Sequence, residues 1–96
     1  MATFVSLVSF TDQGIRNVKD SPARFDAFRA TAGKMGVTVK SVYWTVGSCD
    51  IVVTMDGPED AVTAVLLKIG SLGNVRSHTL RAYGEDEFKR ILAAMP

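Results

Sequence analysis

Cys49, Asp50 and His78 are the residue types of a nucleophilic triad. The thiol would attack, the imidazole would take its proton, and the carboxylate would orient the imidazole. Cys49 and Asp50 stand in the short link between two apolar runs, Val37 to Val46 and Ile51 to Met55, whereas His78 falls in the middle of another extended run. A turn and a mid-strand position need not converge. The bland reading is a small half-buried Cys, a strand His with a local partner and an Asp that caps its own turn. It assigns no catalytic residue. A metal centre has less to build on, since one His and one Cys cannot supply the usual four ligands unless a symmetry axis doubles them. No cofactor motif is present either.

Binding chemistry has more material. Arg76 and His78 are two apart in an extended run and share a face, where they could meet a carboxylate or phosphate; Arg81 falls on the other face. Their plain alternative is an intersubunit salt bridge and a solvated edge. Tyr43 and Trp44 are adjacent, so one faces the helix-side core and the other a cleft or a partner. The stretch from Thr11 to Pro22 carries Arg16 and Lys19 beside Gly14, which lets a ligand or another backbone approach closely. It reads either as an anion site at a helix start or as a capped turn used in packing. The candidate ligand-binding residues are therefore Arg16, Trp44, Arg76 and His78.

These residues need elements to hold them. Thr3 to Phe10 reads as a strand, and Asp12 offers an N-cap for a short turn with Ile15 and Val18 on one side. Ser21-Pro22 restarts a helix, in which Phe25, Phe28, Ala32 and Met35 form an apolar stripe that Gly36 closes. The β-branched and aromatic runs on either side of Gly47 to Asp50 predict an antiparallel hairpin. Pro58 then opens a helix to Ile69, with Glu59 and Asp60 in its first turn and Val62, Val65, Leu66 and Ile69 on one face. Gly70 and Gly73 end it. Asn74 to Tyr83 reads as a fourth strand, and a last helix after Gly84 is expected to bury Phe88, Ile91, Leu92 and Met95.

Strand, helix, strand, strand, helix, strand is the order of an α+β ferredoxin-like βαββαβ sandwich, here with an appended C-terminal helix. Its four-stranded antiparallel sheet carries both main helices on one face. In the third strand Ile51, Val53 and Met55 point one way and Val52 and Thr54 the other; the first strand sets Phe4, Val8 and Phe10 against Val5 and Leu7. A sheet with one wet face should alternate polar and apolar. The simplest cover for the second face is that of another copy, a homo-oligomer with sheet packed on sheet.

Size and composition bound the rest. The 96 residues make one domain without linker or repeat, 47% apolar and 22% charged, as in ordinary globular chains. Eleven basic against ten acidic side chains leave a charge of +1, which argues against a nucleic-acid binder. The single Cys points to a reducing compartment, and neither a signal peptide nor a membrane span is legible, so the expected location is cytoplasmic.

Four segments carry a resemblance: Phe10 to Pro22 (FTDQGIRNVKDSP), Tyr43-Trp44-Thr45, the Gly47-x-x-Asp50 turn, and Leu72 to Ala82 (LGNVRSHTLRA). Together they resemble the GYD-domain proteins of bacteria and archaea over nearly the whole chain. The resemblance implies a subunit of the dimeric α/β-barrel type, and the family name carries no reaction with it. One position departs from the pattern: Cys49 stands where the family usually has Tyr. If that Tyr lines a pocket, the pocket here has a different shape.

The expectation is a small oligomeric protein that binds a small molecule without catalysis, with Trp44 as a wall and Arg16 or Arg76 as an anion handle. Two alternatives stand beside it. Related dimeric α/β barrels include cofactor-independent monooxygenases and isomerases, in which His78 would be the general base. The other is a purely structural assembly module.

Overall fold

The two β-branched runs around Gly47 pair as predicted. In the computed structural model, which describes residues 2–96, they are β2 (Thr38–Trp44) and β3 (Ile51–Gly57), antiparallel and joined by the loop 45–50. Met1 lies outside the described residues. Ahead of them come β1 (Ala2–Phe10), α1 (Asp12–Arg16), a 3-10 turn (Val18–Asp20) and α2 (Ser21–Lys34). After them come α3 (Glu59–Ser71), β4 (Val75–Ala82) and α4 (Glu85–Ala93). The sheet order is β2-β3-β1-β4 with every pair antiparallel. This is the α+β ferredoxin-like arrangement.

The core lies between the sheet and the two long helices. Phe4 and Val8 of β1, and Ile51, Val53 and Met55 of β3, face Phe25, Phe28 and Ala32 of α2 and Val62 and Val65 of α3. Met55 and Ala32 are wholly buried. On the opposite face Val5, Leu7 and Val52 are half-buried, while Leu80 and Tyr43 are exposed. Among the described residues no helix packs on that face.

Helix α2 stops where local chemistry stops it. Gly36 turns the chain at φ +80°, a conformation that strains any residue with a Cβ. The Val37 amide then donates to the Ala32 carbonyl at 2.9 Å and the Gly36 amide to that of Gly33 at 3.2 Å, the paired bonds of a Schellman motif. Val37, buried to 1% exposure, supplies its apolar contact. Met35, expected on the buried stripe, falls past the last helical turn and is exposed.

Other expectations shift in the same local way. Thr11, not Asp12, caps α1, its hydroxyl accepting the Gly14 amide at 3.1 Å. Ser21 does not cap α2 with its side chain; its backbone is already helical, and its hydroxyl accepts from Trp44 instead. Gly70 lies inside α3, which runs on to Ser71 with Pro58 in the N-cap position. The apolar stripe expected of the last helix is not buried: Phe88, Ile91 and Leu92 of α4 are 40–49% exposed, and Met95, past its end, is 65% exposed. Helices α2 and α3 supply the helix side of the core, and the stripe of α4 stays outside it, covered only in part. Among the described residues no helix is long and apolar enough to cross a membrane.

The α1 segment is a clamp. The Thr11 amide donates to the Asn74 carbonyl at 3.0 Å, the Thr11 hydroxyl to that of Gly73 at 2.6 Å, and the Gln13 amide group to Asn74 Oδ1 at 2.9 Å. Gly14 lies so close to this turn that a Cβ would stand 1.9 Å from the Asn74 carbonyl oxygen. Gly14→Ala must therefore push two backbone segments apart. We expect it to cost about 2–3 kcal/mol and to lower Tm by about 10–20 °C in differential scanning calorimetry. An unchanged Tm would show that the segments part freely.

Candidate functional site

Between α2, α3 and the sheet the core is incompletely filled, leaving a cavity of about 190 Å³. Its floor is the buried side of the sheet, with Val8, Ile51, Val53 and Met55 beside two small polar residues, Ser6 and Ser77. Phe25 and Phe28 wall it on the α2 side, Val65, Leu66 and Ile69 on the α3 side. The exposed residues Ala27, Thr31, Lys68 and Leu72 mark its mouth between the helices. The cause of the gap is legible. β1 and β4 place hydroxyls at positions 6 and 77, where a larger apolar side chain would meet the helices. Ser6, 1% exposed, is not an orphan, because its hydroxyl pairs with that of Thr79 at 2.7 Å.

Trp44, the last residue of β2, turns to the helix side while Tyr43 points away, the division that strand alternation predicts. The indole Nε1 donates to Ser21 Oγ at 3.0 Å, and the ring meets Phe25 edge-on at 5.8 Å between centroids. Both contacted residues line the cavity. Trp44 therefore buttresses the wall from behind and does not itself line the space.

The other candidates lie elsewhere. Arg76 and His78 share a face of β4, and it is the face turned from the cavity, with His78 paired across from Leu7. Both are exposed. Arg16 is exposed at the end of α1. Arg81 is engaged within the chain: its guanidinium lies over Tyr83 at 4.4 Å and over Phe4 at 5.7 Å and pairs with Glu87 at 3.3 Å.

Cys49, Asp50 and His78 belong to different neighbourhoods. Asp50 fastens the hairpin loop to β1, its carboxylate accepting the Phe10 amide at 2.8 Å and its own amide donating to the Val8 carbonyl at 2.8 Å. Cys49 stays inside the loop, with Sγ 3.8 Å from the Thr45 hydroxyl. Neither lines the cavity. Among the described residues no three His, Cys, Asp or Glu side chains stand together in a way that could hold a metal ion.

Arg24 and Lys68 are the charged residues on the cavity lining, and the spacing of the sequence singled out neither. Arg24 donates to the Asn17 carbonyl at 2.8 Å and the Gly14 carbonyl at 3.4 Å, tying α2 to α1. The signal that could have found the floor was Ser6 between Phe4 and Val8, a polar residue on the inward side of a central strand.

Comparison with known proteins bears on the fold and the family. The protein TTHA0845 from Thermus thermophilus, known from a crystal structure, is similar at a TM-score of 0.55 and 23% identity. The match spans 88% of this chain and 95% of that one, and at such identity it speaks to the fold alone. No curated protein sequence matches the chain. The sequence model of the GYD domain matches residues 4–92, from the first core residue of β1 into α4, and the chain belongs to the GYD-domain family.

Proposed function

We propose that the protein is a homo-oligomer that binds a small, largely apolar molecule in the cavity between α2, α3 and the sheet. The cavity itself carries the proposal. Protein interiors pack like organic crystals and leave few voids larger than a water molecule. This space opens to solvent between the helices, and its lining is mostly carbon, so water inside it finds few hydrogen-bond partners. An occupant restores the missing contacts. For scale, an apolar cavity of about 150 Å³ accepts benzene.

The chemistry of the lining favours holding over converting. It has no His, Cys, Asp or Glu, the side chains on which proton transfer and nucleophilic attack usually draw. His78, the base that an enzyme reading would need, faces the opposite side of the sheet.

Assembly rests on that opposite side. Val5, Leu7, Val52 and Leu80 form an apolar patch that this chain leaves only partly covered. A second copy placed sheet to sheet covers the patch symmetrically. Arg76 and His78 would then lie at the subunit interface, away from the ligand.

Two experiments test the two halves. Isothermal titration with 1-octanol should show saturable binding to the wild type. Ser77→Ile, which puts carbon where the floor is open, should raise Tm by about 4 °C and weaken that binding at least about fivefold. Octanol held equally by both proteins lies outside the cavity and defeats the binding half. For assembly, sedimentation velocity at micromolar concentration should give an oligomer for the wild type and a monomer for Leu7→Lys. A monomeric wild type defeats the assembly half.

A further inference from the structure

The geometry points to a small amphipathic carboxylate as the ligand, its apolar part a single ring or a chain of about eight carbons or fewer, its headgroup held between Arg24 and Lys68. This rests on the reading that the cavity binds a small molecule and names the class of that molecule. The first ground is charge. The lining is carbon and hydroxyl except for two cations, Arg24 and Lys68, with one amide at Asn74 and no carboxylate. Among the described residues neither cation forms an ion pair, although three other pairs are present on the molecule. Two cations without an acidic partner beside a largely apolar lining favour an anionic occupant over a cationic one.

The second ground is that the charged groups gather at one end. Gln13 of α1 donates to the Leu72 carbonyl at 3.3 Å and to Asn74 Oδ1 at 2.9 Å, so the C-terminal end of α3 lies against α1. Lys68 stands one turn before Leu72 on α3. Arg24 reaches α1 from α2, where the Gly14 and Asn17 carbonyls hold its guanidinium in place. Arg24, Lys68 and Asn74 thus converge on the α1 end of the cavity, and the space away from it is bounded by Phe28, Met55 and Val53. A ligand with a charged head and an apolar body matches that division.

The third ground is donor supply. Each guanidinium carries five N–H donors, and only part of that supply is spent on the two α1 carbonyls. Ser21 lies three residues before Arg24, on the same side of α2, and is 4% exposed. Its oxygen accepts the Trp44 indole N–H, and its own proton has no acceptor among the described residues. A carboxylate oxygen accepts from both groups without displacing any bond the fold uses. The volume sets the length of the apolar part. About 190 Å³ is somewhat more than the benzene-sized cavity of about 150 Å³, which suits one ring or a short chain and excludes a long fatty acid.

The test compares octanoate, 1-octanol and octylamine by isothermal titration at pH 7.5 and low salt. Octanoate should bind about tenfold tighter than octanol, and octylamine more weakly than both. Raising the salt should erode the octanoate advantage and leave octanol unmoved. Lys68→Glu, an exposed helical position that folds without strain, should lower the octanoate-to-octanol affinity ratio about tenfold or more. Equal affinities for the three probes, or a ratio unmoved by Lys68→Glu, would overturn the carboxylate assignment while leaving the binding site standing. If none of the three binds, the cavity reading itself falls.

Discussion

Strand β1 is the element on which the rest depends, because it is paired along most of its length on both sides. Each residue from Thr3 to Val8 has a partner in β3 and another in β4. With a period of two, this double pairing fixes which side chains look toward the helices and which look away. A slip of one residue would turn Phe4, Ser6 and Val8 onto the open face and bring Val5 and Leu7 into the core. Asp50 secures the register at one end by bonding to both Val8 and Phe10, and Thr11 secures the continuation through Gly73 and Asn74. The cavity and the partly covered patch are the two faces of that one register.

The same alternation explains why a space exists at all. Ser6 and Ser77 occupy inward positions on neighbouring strands, where the core elsewhere places Phe4, Val8, Val53 and Val75. A hydroxyl in an apolar interior costs free energy unless it is bonded, and Ser6 meets that condition inside the sheet through Thr79. The Ser6 hydroxyl is therefore satisfied within the sheet. A larger apolar residue at Ser77 would fill part of this space without breaking the Ser6–Thr79 bond.

Much of the fold was legible because its signals are local. Gly36 after an apolar stripe, Pro58 before an acidic first turn and the Gly-containing link at 47–50 each act within a few residues, and the elements stop and start where they stand. The stripe of α4 was legible too, but a stripe does not say what will cover it, and this chain covers it only in part. The site was harder to read. Arg16, Trp44, Arg76 and His78 were singled out by chemical type, and type carries no information about which side of the sheet a residue will face relative to a cavity. Strand alternation did separate Tyr43 from Trp44 and Arg76 from Arg81. Arg24 and Lys68 look in the sequence like ordinary charges on helix surfaces. Their significance comes only from where α1 ends and how far α2 and α3 stand apart, both non-local properties.

The departure from the family pattern at Cys49 acquires a definite meaning once the loop is placed. The Thr45 hydroxyl donates to the Cys49 carbonyl at 2.7 Å, and the Thr45 amide donates to the Asp50 carbonyl at 2.8 Å, so Thr45 closes the loop through backbone carbonyls whatever side chain stands at 49. Cys49 is half-buried there and contributes no surface to the cavity. Replacing a large aromatic by a thiol at this position therefore changes the end of the hairpin and leaves the cavity volume as Ser6, Ser77 and the two helices set it. Variation at position 49 therefore alters what the hairpin end touches and leaves the cavity lining unchanged.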